Sequence, residues 1–192
     1  MRLPALALLL AAPSAFGLVA CGDAAPDPAP PDDRAAVFLD PRGLRLVDST
    51  AGSSDLLAFG AERGGVVRAL ESAGRPVAPG DTSAECGAGP LASAALDGGL
   101  TLWFDNGTFA GWFTDRAGEG APAYTAPNGL GVGSTFVALE GAYRADVQET
   151  TLGTEFYMGA PDVPGGFSGL LDGTEPDATV TALWAGTTCT FR

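Results

Sequence analysis

Histidine and lysine are absent from the 192-residue sequence, and its ten basic residues are all arginine. Without His there is no Ser-His-Asp or Cys-His nucleophilic system and no His-ligated zinc or iron; without Lys there is no Schiff base and no P-loop lysine. The shortage of Lys beside abundant Ala, Gly, Pro and Arg also matches the coding bias of a GC-rich genome, and this is the preferred explanation. Basic charge is scarce as well: 23 acidic residues set the formal net charge at −13. Such a surface repels nucleic acid and anionic headgroups. No apolar run approaches the ~20 residues that span a bilayer, and no Asp-x-Asp-x-Asp-Gly calcium loop occurs. Cysteine is limited to Cys21, Cys86 and Cys189.

What is present begins with a leader. Arg2 precedes an apolar run from Leu3 to Ala12, followed by Pro13, Ser14 and then Leu18-Val19-Ala20-Cys21. The run is too short for a membrane span and has the layout of an export signal. The four residues ending in Cys21 resemble the lipobox of bacterial lipoproteins, which implies removal of residues 1–20, with Cys21 as the lipidated N-terminus. A cleaved secretory signal with a coincidental Cys is the alternative. Acyl chains contribute ~0.8 kcal/mol per buried CH₂, so several make a stable anchor. Gly22 stands where Asp would mark inner-membrane retention in enteric lipoproteins, which favours the outer membrane, facing the periplasm. Residues 21–33, rich in Pro and Asp, read as a disordered tether between lipid and folded domain.

With Cys21 assigned to lipid, Cys86 and Cys189 remain as a pair in an oxidising compartment and are expected to form a disulfide. Two thiolates without any His are too few for a metal site, so no metal or cofactor is expected.

The globular domain should occupy residues 34–192. Ala36-Val37-Phe38-Leu39 and Leu44-Arg45-Leu46-Val47 flank the turn sequence Asp40-Pro41-Arg42-Gly43, which predicts a β-hairpin. Val66, Ala69, Leu70 and Ala73 lie at helical spacing, and Gly74 is a suitable stop. Strands are expected over 91–96, 100–104 and 108–114. Asn106-Gly107 is the strongest local signal, because both central positions of a type I′ turn need positive φ. Its register places Phe104 opposite Phe109, Trp103 opposite Ala110 and Thr101 opposite Trp112. One face then carries Leu100, Leu102, Phe104, Phe109 and Phe113, and the other Thr101, Trp103 and Trp112.

A pattern recurs at an offset of 73 residues: Gly60, Val66, Ala69 and Leu70 match Gly133, Leu139, Ala142 and Tyr143. Ser134 or Thr135 is available to cap the second helix. Strands are expected to follow over 154–158, 167–171 and 179–184. Gly129-Leu130-Gly131-Val132-Gly133-Ser134-Thr135 leading into Phe136 to Tyr143, with its weaker Phe59-Gly60 counterpart, resembles the tandem architecture of the β-lactamase inhibitory proteins. Single units of similar shape occur in the small lipoprotein of the outer-membrane barrel-assembly machinery. The resemblance implies an α+β fold of two repeats, residues 57–114 and 129–189, each a short helix plus an antiparallel three-strand meander, preceded by the N-terminal β-hairpin. The first copy lacks Ser or Thr after its glycine, and no residue pattern carries inhibition of any enzyme.

Function then divides. The leading expectation is a membrane-anchored protein-binding or scaffolding module for an envelope or periplasmic partner, with no recognisable catalytic site. Its candidate surface is the face carrying Thr101, Trp103 and Trp112, continued by Leu183 through the repeat; alternatively, the Ala36 to Val47 hairpin covers these rings. The rival readings are a hydrolase using carboxylates such as Asp97, Asp105, Asp172 and Asp177, and a glycan-binding protein using Trp103 and Trp112. The four aspartates all sit in turn sequences, where Asp is favoured for backbone reasons.

Overall fold

The computed structural model describes residues 35–115, 124–159 and 165–189. The leader, Cys21 and the tether lie outside the described residues.

The first strands form a small antiparallel sheet in the order β1 (Ala36–Asp40), β2 (Gly43–Asp48) and β3 (Ser53–Ala58). The hairpin read from the sequence is therefore two-thirds of a three-stranded sheet, because Leu56 and Leu57 pair with Arg45 and Leu44. At the β1–β2 turn Asp40 is buried, and its carboxylate accepts hydrogen bonds from Arg42 and Arg45. Burial works to raise the Asp40 pKa. The hydrogen bonds from Arg42 and Arg45 outweigh it and hold the carboxyl below its ordinary value.

Helix α1 (Arg63–Ser72) follows, and it buries Val66 and Leu70. Gly74 then adopts φ +72° and ends it. Next come β4 (Val77–Ser83), β5 (Leu91–Leu96), β6 (Leu100–Asp105) and β7 (Thr108–Thr114). Helix α2 (Phe136–Ala142) leads into β8 (Ala145–Thr150), β9 (Gly153–Gly159), β10 (Gly166–Leu171) and β11 (Val180–Gly186). Thr135 caps α2, its side-chain oxygen accepting the Ala138 N–H at 3.3 Å. Gly60 and Gly133 both adopt φ +89°. The Gly60 N–H donates to the Phe109 carbonyl and the Gly133 N–H to the Val180 carbonyl, so each glycine docks a helix entry onto a central strand.

The eight later strands make one antiparallel sheet, ordered β4-β5-β6-β7-β11-β10-β9-β8. This overturns the expected fold class. The protein is mostly β, with a three-stranded and an eight-stranded sheet, and it is not an α+β pair of helix-plus-three-strand repeats. Four strands follow each helix rather than three. The β7–β11 pairing, Leu183 opposite Thr114 and Trp184 opposite Phe113, fuses them into a continuous sheet. The two strands missing from the expectation, β4 and β8, are the sheet's edges and are largely exposed.

One core lies on one face of this sheet. Leu96, Leu100, Leu102, Phe104, Phe109, Trp112, Phe156, Met158, Phe167 and Leu183 pack there with Val66 and Leu70 of α1, Leu139 of α2, and Val37, Leu39, Leu44 and Leu46 of the small sheet. Fully burying such side chains contributes roughly 1.5–3 kcal/mol each.

Candidate functional site

The β6–β7 hairpin decides which side chains reach which face. Its turn forms as expected, with Asn106 at φ +47° and Gly107 at φ +82°. Asp105 pairs with Thr108 and Phe104 with Phe109. A β-bulge then shifts the register by one: Trp103 lies opposite Gly111, Leu102 opposite Trp112 and Thr101 opposite Phe113. Because side chains alternate with period two, an extra residue exchanges the faces of everything beyond it.

Two of the four candidate surface residues consequently move into the core. Trp112 is fully buried and packs at a tilt against Phe167, with ring centroids 5.8 Å apart, while its indole N–H donates to the Asp40 carbonyl at 3.1 Å. The β1–β2 hairpin therefore covers this ring. Leu183, opposite Thr114, is buried on the same face. Thr101 and Trp103 remain on the opposite face, where they meet Phe113, which the unbulged register sets on the face of Leu100 and Leu102, and Trp184; these two rings stack with centroids 6.2 Å apart. The bulge has no sequence mark of its own, since Phe109-Ala110-Gly111-Trp112-Phe113 reads equally well as a regular strand. Gly111 is the nearest to a signal. A Cβ there would come within 2.3 Å of the Thr187 carbonyl oxygen, so the close approach of the β11 extension requires glycine.

On this face, turned away from the helices, Thr101, Trp103, Phe113, Leu170, Trp184 and Leu152 surround an open cleft of about 400 Å³. Trp103 and Phe113 are half-buried, whereas Trp184 is 4% exposed. The Trp103 indole N–H is shielded from water, which leaves mainly carbon atoms on the cleft wall. Cys189 closes one side and is bonded to Cys86, with their Cα atoms 4.9 Å apart. The disulfide ties the loop before β5 to the chain leaving β11.

The four candidate aspartates lie at or beside turns. Asp97 accepts from the Tyr124 hydroxyl through its backbone carbonyl, at 2.7 Å. Asp105 accepts from the Asn106 amide, and Asp172 accepts from the backbone and hydroxyl of Thr179. The bonds from Thr179, backbone first, lower the Asp172 pKa. Asp177 is exposed in the turn before β11. These positions are not gathered into one site. Among the described residues no group of three or more Cys, Asp or Glu is placed to hold a metal ion, and no helix is long and apolar enough to cross a membrane.

No family model matches the chain, and no curated protein matches it. Among solved structures, the chain is similar to the crystal structure of the uncharacterized protein yfeY from Escherichia coli, at 11% identity and a TM-score of 0.44, with 69% of this chain and 92% of that chain covered.

Proposed function

We propose that the chain is a lipid-anchored extracytoplasmic protein that binds a partner protein of the envelope or periplasm through the helix-free face of its large sheet. The Leu18 to Cys21 box and the Pro- and Asp-rich segment after it support the anchor and tether. The observation that carries the binding role is the aromatic cleft of Trp103, Phe113 and Trp184 with Leu170 and Leu152. Aromatic side chains on an open, partly desolvated surface are the usual anchors of protein interfaces. The occupant that suits this lining is an apolar side chain of the partner. A sugar needs a free ring face with polar groups beside it; here Trp184 is buried and Trp112 lies on the other side of the sheet.

The test uses the full-length exported chain. A photo-crosslinking residue at position 113 or 170 should give one discrete adduct in intact envelopes, and Trp103→Ser should abolish it while the protein still folds. Absence of any adduct from both positions would reject the cleft as the interface. Cys21→Ser should move the chain from the membrane fraction to soluble periplasm or block its processing; unchanged partitioning and mature mass would remove the anchor from the proposal.

A further inference from the structure

We infer that β8 is an acceptor edge for strand addition, and that it takes an extended segment of a partner protein bearing basic residues at two positions three apart. The site is separate from the cleft and extends the sheet in its own plane.

Every edge strand turns the N–H and C=O of alternate residues away from its neighbour, and proteins usually block such edges. The large sheet blocks one of its two. β4 contains Pro79, which has no N–H to offer, and its pairing with β5 breaks between Pro79 and Thr82. β8 has neither device: Ala145 to Thr150 pair with β9 in unbroken register, with no proline. Two of the three exposed large apolar side chains of the described residues lie here, Val147 on β8 and Tyr157 on β9, on opposite faces of the sheet.

Charge identifies the occupant. Asp146 and Glu149 are exposed on β8, and alternation puts them on opposite faces: Asp146 beside Tyr157, Glu149 beside the buried Thr154. A second copy of the chain, paired antiparallel about the strand centre, would set Asp146 against Glu149 at both ends, and like charges directly opposite are unfavourable. A foreign strand running antiparallel to β8 would meet Glu149, Gln148, Val147 and Asp146 in that order. The complementary sequence is therefore basic, any residue, apolar, basic. Arg144, just before the strand, discourages a third basic residue beyond it. Main-chain hydrogen bonds supply the attachment and the two charges the register.

The probe is a synthetic peptide, Thr-Lys-Thr-Val-Lys-Thr, titrated into the full-length exported chain with hydrogen exchange of the β8 amides as the readout. Saturable protection of β8, and not of β4, is expected. Asp146→Lys combined with Glu149→Lys should weaken binding at least tenfold, and a peptide with Glu in place of both Lys should recover it. Both substitutions are at exposed positions, and Glu149→Lys also removes the hydrogen bond that Glu149 accepts from the Thr154 hydroxyl at 2.7 Å, so melting checks that folding survives. Phe113→Ser should leave peptide binding unchanged, which separates failure here from failure of the cleft. The inference is overturned by absence of saturable protection, by equal binding of Lys and Glu peptides to the unaltered chain, or by a dimer crosslinked through Gln148.

Discussion

Trp112 and Phe113 are neighbours in sequence and belong to different environments. Trp112 is fully buried, hydrogen-bonded to Asp40 and enclosed by the small sheet. Phe113 is half-buried on the far side, leaning on Trp184 at the wall of an open cleft. Adjacent residues of a strand always point to opposite faces. What differs is the cover: one face of the sheet has two helices and three strands packed over it, and the cleft face is open, with the disulfide at one side. An aromatic side chain is therefore part of the core on one side and part of an open cleft wall on the other.

The comparison breaks most visibly if Trp112 is truncated. Trp112→Ala should cost about 3–5 kcal/mol, as for a buried aromatic, and should lower the melting temperature whatever partner is present. A loss below about 1 kcal/mol would mean that the small sheet does not cover the ring. Next in size is the disulfide, whose cysteines are 103 residues apart. Replacing both cysteines by Ser should destabilise by up to about 4–5 kcal/mol in the chain-entropy account, measured by denaturant unfolding. Phe113→Ser should cost much less than Trp112→Ala while removing the envelope adduct formed from position 170, and equal destabilisation by the two would erase the distinction between the faces.

Two smaller effects sharpen the comparison. Deleting Ala110 removes the extra residue of the bulge but keeps Leu102 opposite Trp112, so Trp112 should stay buried and the fold should survive. The variant loses the Thr187 N–H bond to the Ala110 carbonyl, at about 1 kcal/mol; exposure of the Trp112 indole N–H to exchange would show that the bulge does not set the register. Asp40 supplies a pH dependence. Its folded pKa is lowered, so its contribution is complete above the ordinary carboxylate value and is lost as pH falls through the folded one. Stability should therefore drop with acidification below about pH 4, and Asp40→Asn should flatten that slope.

Much of this architecture was legible, and what was not has an identifiable cause. The interior strands expected over 91–96, 100–104, 154–158 and 167–171 announce themselves because both neighbours and a core select apolar, β-forming residues. β4, reading Val-Ala-Pro-Gly-Asp-Thr-Ser, and β8, reading Ala-Asp-Val-Gln-Glu-Thr, carry no such pattern: an edge strand has one neighbour and little burial, so its residues resemble those of a loop. Omitting both produced the three-strand units that the eight-stranded sheet replaces. In the candidate surface, Thr101 and Trp103 stay on the expected face and Trp112 and Leu183 do not, because the bulge reverses Trp112 and the repeat match carries the same face to Leu183.

By itself the sequence determined the local events: the Asn106-Gly107 turn, the end of α1 at Gly74, the Thr135 cap and the β1–β2 hairpin, each governed by the φ preference or hydrogen-bonding capacity of a few adjacent residues. Tertiary structure decided which face Trp112 and Phe113 occupy and that eight strands form one sheet. Those outcomes depend on a one-residue bulge accommodated against Thr187, on the pairing of β7 with β11, and on the small sheet closing over Trp112. Contacts between residues tens of positions apart leave no periodic trace in either partner, so only the folded chain reveals them.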